Sequence, residues 1–280
     1  MSTNSDQSGS ELQGLESTTV EVFGPENRAV ETPLLVAGEG RPVLFLSGLI
    51  GTNRHWANVI RLVKDRVRCL ALEVPLLELK GDDCGVPGVT AMVGKFVRET
   101  LDQPPIYVGS SFGGHVALKL ALEQPELVAG LVLAGSSGLA EKPLLGSDRT
   151  PRNDKDWLAD RVAELFYDRA KMDPRDVDRA WEELGNRRKA RAMIKLSRSA
   201  RTDHLGAVLH MISAPTLVLW GREDIVTPPE AAREFAAKIP DARMHWIEQC
   251  GHAPMVEEPE AFAEALMAFT MEVDARPLDA

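Results

Sequence analysis

The stretch Ile106–His115, IYVGSSFGGH, constrains this chain more than any other. Gly109-Ser110-Ser111-Phe112-Gly113 is a G-x-S-x-G. The apolar run Ile106-Tyr107-Val108 precedes it and reads as a buried strand; Val116–Leu122 follows and reads as a helix. A serine at a sharp strand-to-helix turn needs small neighbours, because the backbone is strained and the next helix passes close by. Gly109 and Gly113 supply that room, and Gly114 adds more. The helix start also aims backbone N–H groups and a positive dipole end at Ser111, where negative charge would develop during a reaction. Ser111, not Ser110, holds the central position. The plainer reading is a Gly/Ser-rich turn with no chemistry, and the rest of the chain has to separate the two.

At 280 residues and 44% hydrophobic, the chain can bury one large core, and α/β chains of this length often form one domain with an insertion. Strands are expected at Thr18–Phe23, Leu34–Ala37, Pro42–Ser47, Arg68–Val74, before Ser111, and at Leu127–Ala134, Pro215–Trp220 and Arg243–Ile247. Between them, helices are expected up to Val63, over Thr90–Thr100, after Ser111, over Pro228–Ile239 and around Phe262, Leu266 and Phe269, with Leu76–Val86 as a loop. Alternating strand and helix argues for a mainly parallel sheet covered on both faces. From about Gly138 to Leu205 the strand signal stops and charge is dense. Leu158, Val162, Leu165 and Phe166 lie at i, i+4, i+7, i+8. Asp173-Pro174-Arg175-Asp176 is a helix start, followed by Val177, Ala180, Trp181 and Leu184 on one face. A third helix from about Arg187 carries Ala190, Met193, Ile194 and Ser197. The expected organisation is therefore a disordered tail over 1–14, a core over 15–137 and 206–273, and an all-helical cap over 138–205.

A serine hydroxyl is a weak nucleophile unless a base lies within hydrogen-bond reach and an acid orients that base. Asp224 follows the strand PTLVLW directly, and His252 follows the last strand. In a parallel sheet the loops after the strands share one edge, where ligands bind, so three residues far apart in sequence can meet there. Singly, Asp224 reads as a helix cap and His252 as a solvated loop histidine. Their joint placement with Ser111 points to a Ser-His-Asp triad. His55, His115, His204, His210 and His245 read as structural or exposed, and Cys250 as a small buried residue.

Composition narrows the partners. There are 32 Lys and Arg against 42 Asp and Glu, a net charge of −10. Such a chain is a poor candidate for nucleic acid or anionic membranes. The three cysteines show no C-x-x-C, which points to reduced thiols and a cytoplasmic home. The polar N-terminus lacks the pattern of a signal peptide, and no apolar run is long enough to span a membrane. No phosphate-loop or dinucleotide fingerprint and no metal-ligand spacing is present. The expected partner is a small-molecule substrate, with the chain as monomer or homodimer.

With these residues in view, the chain resembles the α/β-hydrolase superfamily, of the esterase-like kind with a helical cap. The resemblance covers about residues 21–269, anchored by VGSSFGG at 108–114, PTLVLWGREDIVTPP at 215–229 and CGHAPMVEEPEAF at 250–262. It implies a mostly parallel eight-stranded sheet with helices on both faces. It also implies Ser111 as nucleophile, His252 as base and Asp224 as acid, with the N–H groups of Leu49 and Phe112 as oxyanion hole. No metal or cofactor is implied. Ile50, Trp56, Phe166, Trp181 and Val226 are candidates for the substrate pocket. Two departures stand out. Many relatives carry His-Gly where this chain has Ser47-Gly48, and that histidine orders the loop. Glu73–Glu78 replaces an Asp-x-x-Gly-x-Gly-x-Ser segment. A serine at 111, in place of Asp, argues against haloalkane dehalogenases and epoxide hydrolases. The implied activity is that of a carboxylesterase working through an acyl-enzyme. Hydrolysis of a C–C bond on the same triad, or a slow-turnover ligand receptor, are the alternatives. The basic residues Arg187, Arg188, Lys189, Arg191, Lys195, Arg198 and Arg201 read as a solvated cap face.

Overall fold

Neighbouring residues of the central strands enter two different cores. Val43 and Phe45 pack on one side of the sheet and Leu44 and Leu46 on the other; Cys69 and Ala71 oppose Leu70 and Leu72, and Val132 and Ala134 oppose Leu131 and Leu133. Burial on both faces is why these strands are continuous apolar runs in sequence. The computed structural model describes residues 14–139 and 154–276. Its strands are β1 (Glu16–Phe23), β2 (Ala29–Ala37), β3 (Pro42–Leu46), β4 (Arg68–Leu72), β5 (Ile106–Ser110), β6 (Gly130–Ala134), β7 (Thr216–Gly221) and β8 (Ala242–Ile247). They form one eight-stranded sheet in the order β1-β2-β4-β3-β5-β6-β7-β8. The β1–β2 and β2–β4 pairs are antiparallel and every other pair is parallel. The expected fold class is borne out.

The helices are α1 (Ala57–Val63), α2 (Val86–Thr100), α3 (Phe112–Glu123), α4 (Lys155–Ala163), α5 (Pro174–Gly185), α6 (Arg187–Thr202), α7 (Pro229–Lys238), α8 (Pro254–Glu257) and α9 (Pro259–Asp274). Helices α2, α3 and α7 cover the Leu44 face, and α1 and α9 cover the Phe45 face. Between β6 and β7 the described residues form α4, α5 and α6 and no strand, in the place of the expected cap. Asp173 caps α5 by accepting from the Arg175 N–H at 2.8 Å, with Pro174 in the first turn. Leu158, Val162, Val177 and Ala180 bind α4 to α5, and α6 packs against the Leu76–Glu78 turn and α2. The expected tail over 1–14 falls on 1–13 outside the described residues, as does 140–153 of the expected cap. No helix among the described residues is long and apolar enough to cross a membrane.

Three local expectations are corrected. Helix α2 starts at Val86 and not Thr90, because Pro87 sits in its first turn, where the missing N–H costs nothing. Strand β2 starts at Ala29, because β1 pairs with it from Phe23↔Ala29 onward. The buried face of α6 is Ala192, Met193, Leu196 and Ala200, while Ile194 is 58% exposed. Placing Ile194 on the inner face shifted the stripe by one residue.

Candidate active site

The turn after β5 is strained where the sequence requires it. Ser111 has φ 50° and ψ −115°, a conformation that non-glycine residues rarely adopt. Three backbone hydrogen bonds hold it there. Its N–H donates to Ala134 O at 3.1 Å, and its carbonyl accepts from His115 N–H at 3.2 Å and Ser137 N–H at 3.1 Å. The glycines are a steric requirement: a Cβ on Gly109 would lie 2.5 Å from Gly114 Cα, and one on Gly113 would lie 2.2 Å from Leu46 O. Ser110 is buried in the strand, whereas Ser111 is half-buried at the turn.

The loops after β7 and β8 bring Asp224 and His252 together. His252 Nδ1 lies 2.8 Å from Asp224 Oδ2, with both residues buried. An ionised carboxylate only accepts, so the bond places the proton on Nδ1 and the ring lone pair on Nε2. The carboxylate is itself held. Its Oδ1 accepts from the N–H groups of Val226 at 2.8 Å and Thr227 at 3.0 Å, and its Oδ2 accepts from Thr227 Oγ1 at 2.7 Å. Thr227 and Gly135 escaped the reading of the sequence. Gly135 follows Ala134, the acceptor for Ser111, and a Cβ on it would lie 2.9 Å from His252 Nδ1 and 3.1 Å from Asp224 Oδ2. The segment after β6 therefore touches the Ser111 backbone on one side and the Asp–His pair on the other.

Gly48 approaches the serine from β3. A Cβ on it would meet Ser111 Cβ at 3.1 Å and Ser111 Oγ at 3.7 Å. The chain then turns, with Gly51 N–H donating to Gly48 O at 3.1 Å, which leaves the Leu49 N–H outside the turn's own bond. Phe112 is the first residue of α3, where an N–H has no intrahelical partner. Phe112 follows Ser111 directly in the chain, and Leu49 follows Gly48, which packs against the Ser111 side chain. Ser47 takes over the ordering of the loop: its Oγ accepts from Trp56 Nε1 at 3.0 Å and donates to Thr52 O at 3.4 Å.

Beyond the pair, Glu257 is a buried carboxylate that the sequence did not single out. It accepts from Gly251 N–H at 2.8 Å and Tyr167 N–H at 2.8 Å, tying the His252 loop to the end of α4. Burial raises its pKa, against the opposing pull of those N–H bonds. His252 N–H also donates to Leu165 O at 2.7 Å. Burial likewise pushes the Cys250 thiol up, so it stays protonated. Among the described residues no cluster of three or more His, Cys, Asp and Glu has the arrangement of a metal site.

A cavity of about 140 Å³ opens beside Gly48 and Leu49, on the Leu44 face of the sheet, with Leu46, Leu77, Val93 and Phe112 among its walls. None of the five expected pocket residues lines it. Trp56 is corrected outright: it is 1% exposed on the opposite face, between Phe45 and Phe262, because the chain crosses the sheet edge into α1. Ile50 packs against the core beside the cavity. Trp181 packs on the α4–α5 cluster, Phe166 sits in the turn after α4, and Val226 serves Asp224 through its N–H. Arg179 and Lys189 reach the cavity wall from the cap, each beside a carboxylate: Glu183 at 3.6 Å and Glu78 at 3.0 Å. Arg187, Arg191, Lys195, Arg198 and Arg201 are exposed.

Sheet order and the strained serine turn after the fifth strand place this protein in the class of α/β hydrolases. The sequence pattern of the alpha/beta hydrolase family matches residues 43–265, and the chain belongs to that family. It is similar to 2-hydroxymuconate semialdehyde hydrolase of Pseudomonas sp. (strain CF600), 32% identical over 88% of this chain and 92% of that one. It is also similar to pimeloyl-[acyl-carrier protein] methyl ester esterase of Nitrosomonas europaea, at 27% identity over 82% and 96%. Among solved structures it resembles MGS-MChE2, an alpha/beta hydrolase enzyme from a lagoon-sediment metagenome of Mar Chica, Morocco. That match has a TM-score of 0.71 and 30% identity, and covers 87% of this chain and 96% of the other.

Proposed function

We propose that the chain is a serine hydrolase that cleaves a small-molecule carboxylester through an acyl-enzyme. The observation that carries this is the buried Asp224–His252 bond at 2.8 Å, held across Gly135 from the backbone of Ser111. Ser111 Oγ attacks the ester carbonyl while His252 takes its proton, and Asp224 stabilises the imidazolium. The N–H groups of Leu49 and Phe112 receive the oxyanion. Loss of the alcohol leaves acyl-Ser111, which water hydrolyses with His252 again as base. The cavity is lined by Leu49 and Phe112, the two oxyanion donors, and its walls Leu46, Leu77 and Val93 suit an apolar acyl or alcohol group.

A second reading is hydrolysis of a C–C bond beside a carbonyl, favoured by the likeness to a 2-hydroxymuconate semialdehyde hydrolase. A substrate carboxylate is bound best by a cation with hydrogen bonds to spare. Lys189, which reaches the cavity wall, already pairs with Glu78 at 3.0 Å, and the carboxylates Glu73, Glu78 and Glu183 line the same cavity as Arg179 and Lys189, which favours the uncharged ester. Chromogenic esters of graded chain length, run beside a vinylogous-acid C–C substrate and with Ser111→Ala as control, test the choice. Turnover of esters with no C–C cleavage supports the ester reading. C–C cleavage at a higher kcat/KM than any ester would replace it.

A further inference from the structure

We infer that Arg179, on cap helix α5, is a positioning residue for the oxyanion donor at Leu49, so that the cap sets the geometry of acyl transfer as well as enclosing substrate. The inference rests on the serine-hydrolase reading proposed above.

Leu49 and Ile50 are the two central residues of the turn closed by Gly51 N–H and Gly48 O. The stem of this loop is held from the core. Ser47 Oγ binds Trp56 and Thr52, His55 Nδ1 accepts from Thr52 N–H at 3.3 Å, and Glu73 Oε2 accepts from Asn53 N–H at 2.5 Å. The tip is held from the cap: Arg179 Nη2 donates to Ile50 O. Glu183, one helical turn on, stands 3.6 Å from the Arg179 guanidinium.

The same helix grips the far end of the loop. Asp176 lies one turn before Arg179 and accepts from Arg54 Nη2 at 2.5 Å, and its Oδ2 lies 3.0 Å from His55 Nε2. Asp173, a turn earlier still, accepts from Arg54 Nη1 at 2.7 Å. Burial opposes the charge on Asp176. The His55 hydrogen bond and the charges of Arg54 and Arg179 outweigh it and hold the carboxyl below its ordinary range. One face of α5 thus runs along residues 50–55.

Consequences for catalysis follow from the peptide geometry. The Leu49 N–H shares a peptide unit with Gly48 O, and the Ile50 carbonyl shares one with Gly51 N–H, so the two outer peptide units of this tight turn, flanked by two glycines, are joined by the turn's own hydrogen bond. Releasing the carbonyl lets those units rotate. An oxyanion donor works only within about 2.7–3.1 Å of the oxygen it stabilises, and a displacement of about 1 Å costs roughly 100-fold in rate.

The test compares Arg179→Met and Arg179→Lys with wild type on the best ester, together with a trifluoromethyl ketone and its non-electrophilic methyl ketone counterpart. Ser111 Oγ adds to the trifluoromethyl ketone carbon, the carbonyl π pair moves onto oxygen, and the serine proton goes to His252. The resulting oxyanion reads the hole directly. Arg179→Met should lower kcat roughly 10–100-fold, with KM within about threefold. Its Ki for the trifluoromethyl ketone should rise in proportion to the kcat loss, and its Ki for the methyl ketone should hold. Arg179→Lys, which keeps the charge and is the safer variant for folding, should recover part of both. A folded Arg179 variant with wild-type kcat and wild-type trifluoromethyl ketone Ki overturns the inference and leaves the hydrolase reading standing. A wild-type protein that neither hydrolyses esters nor binds the trifluoromethyl ketone overturns the hydrolase reading, and the inference with it.

Discussion

Gly135→Ala separates a catalytic Asp–His pair from a structural one. Gly135 has φ 55°, a left-handed conformation that costs an alanine about 1–2 kcal/mol. The added Cβ would lie 2.9 Å from His252 Nδ1, 3.0 Å from Cε1 and 3.1 Å from Asp224 Oδ2. Relaxed carbon contacts need about 3.5–4.0 Å, so the ring and the carboxylate must retreat by roughly half an ångström or more. That weakens a charge-assisted hydrogen bond worth about 1.5–3 kcal/mol. The expected loss of stability is about 2–4 kcal/mol, and the expected loss of kcat/KM is about 100-fold, because the base leaves its line to Ser111. Gly138→Ala is the control. It also carries a positive φ, 110°, but its Cβ meets Leu205 at 3.4 Å and does not reach the pair. Denaturant melts and ester kinetics on both variants give the comparison: both lose stability, and Gly135→Ala alone loses turnover. A folded Gly135→Ala protein with kcat/KM within threefold of wild type would refute the reasoning.

Three further substitutions follow from the packing and the charges. Trp56→Ala should cost about 3–5 kcal/mol, the range for a fully buried ring, and Trp181→Ala less, since its ring is only partly buried in the cap; a graded ester panel should show the wild-type order of preference for both, and a shift toward bulkier acyl groups in Trp181→Ala would return that ring to the pocket. Asp176 is held below the ordinary carboxylate range, so its contribution to stability is present above about pH 4, the unfolded value, and is lost as pH falls through the lowered folded value. Wild type should therefore be more stable than Asp176→Asn at pH 7, with the gap closing below about pH 4; a gap that stays constant from pH 7 to pH 3 contradicts the cap–loop clasp.

The architecture was legible because it depends on patterns a sequence displays. Strands buried on both faces must be apolar runs, and PVLFL, IYVGS and TLVLWG are found where their runs stood. The placement of Ser111, Asp224 and His252 was legible for a related reason: each lies in the loop or turn after a parallel strand, β5, β7 or β8, and parallel strands end on one edge. The cap's Asp173-Pro174 start was equally plain. The pocket was not. Aromatic side chains at helical spacing say that a residue is buried, not against what, and Trp56 went to the far face of the sheet. Gly135, Thr227, Glu257 and Arg179 were missed because their roles exist only between segments distant in sequence. A glycine opposite an imidazole and an arginine on a carbonyl 129 residues away leave no local signature. Glu257 lies five residues after His252 in CGHAPMVEEPEAF, but Glu258 follows it directly and Glu260 two residues on, and nothing local marks which of the three carboxylates is buried.

The most direct test of Ser111 as nucleophile is covalent. A fluorophosphonate transfers its phosphonyl group to an activated serine and loses fluoride, and peptide mass mapping locates the adduct. The expected result is a single adduct on Ser111, absent in Ser111→Ala and strongly slowed in His252→Ala. Modification of Ser110 with Ser111 untouched, or a wild-type protein that remains unlabelled under conditions that label a control esterase, would contradict the account.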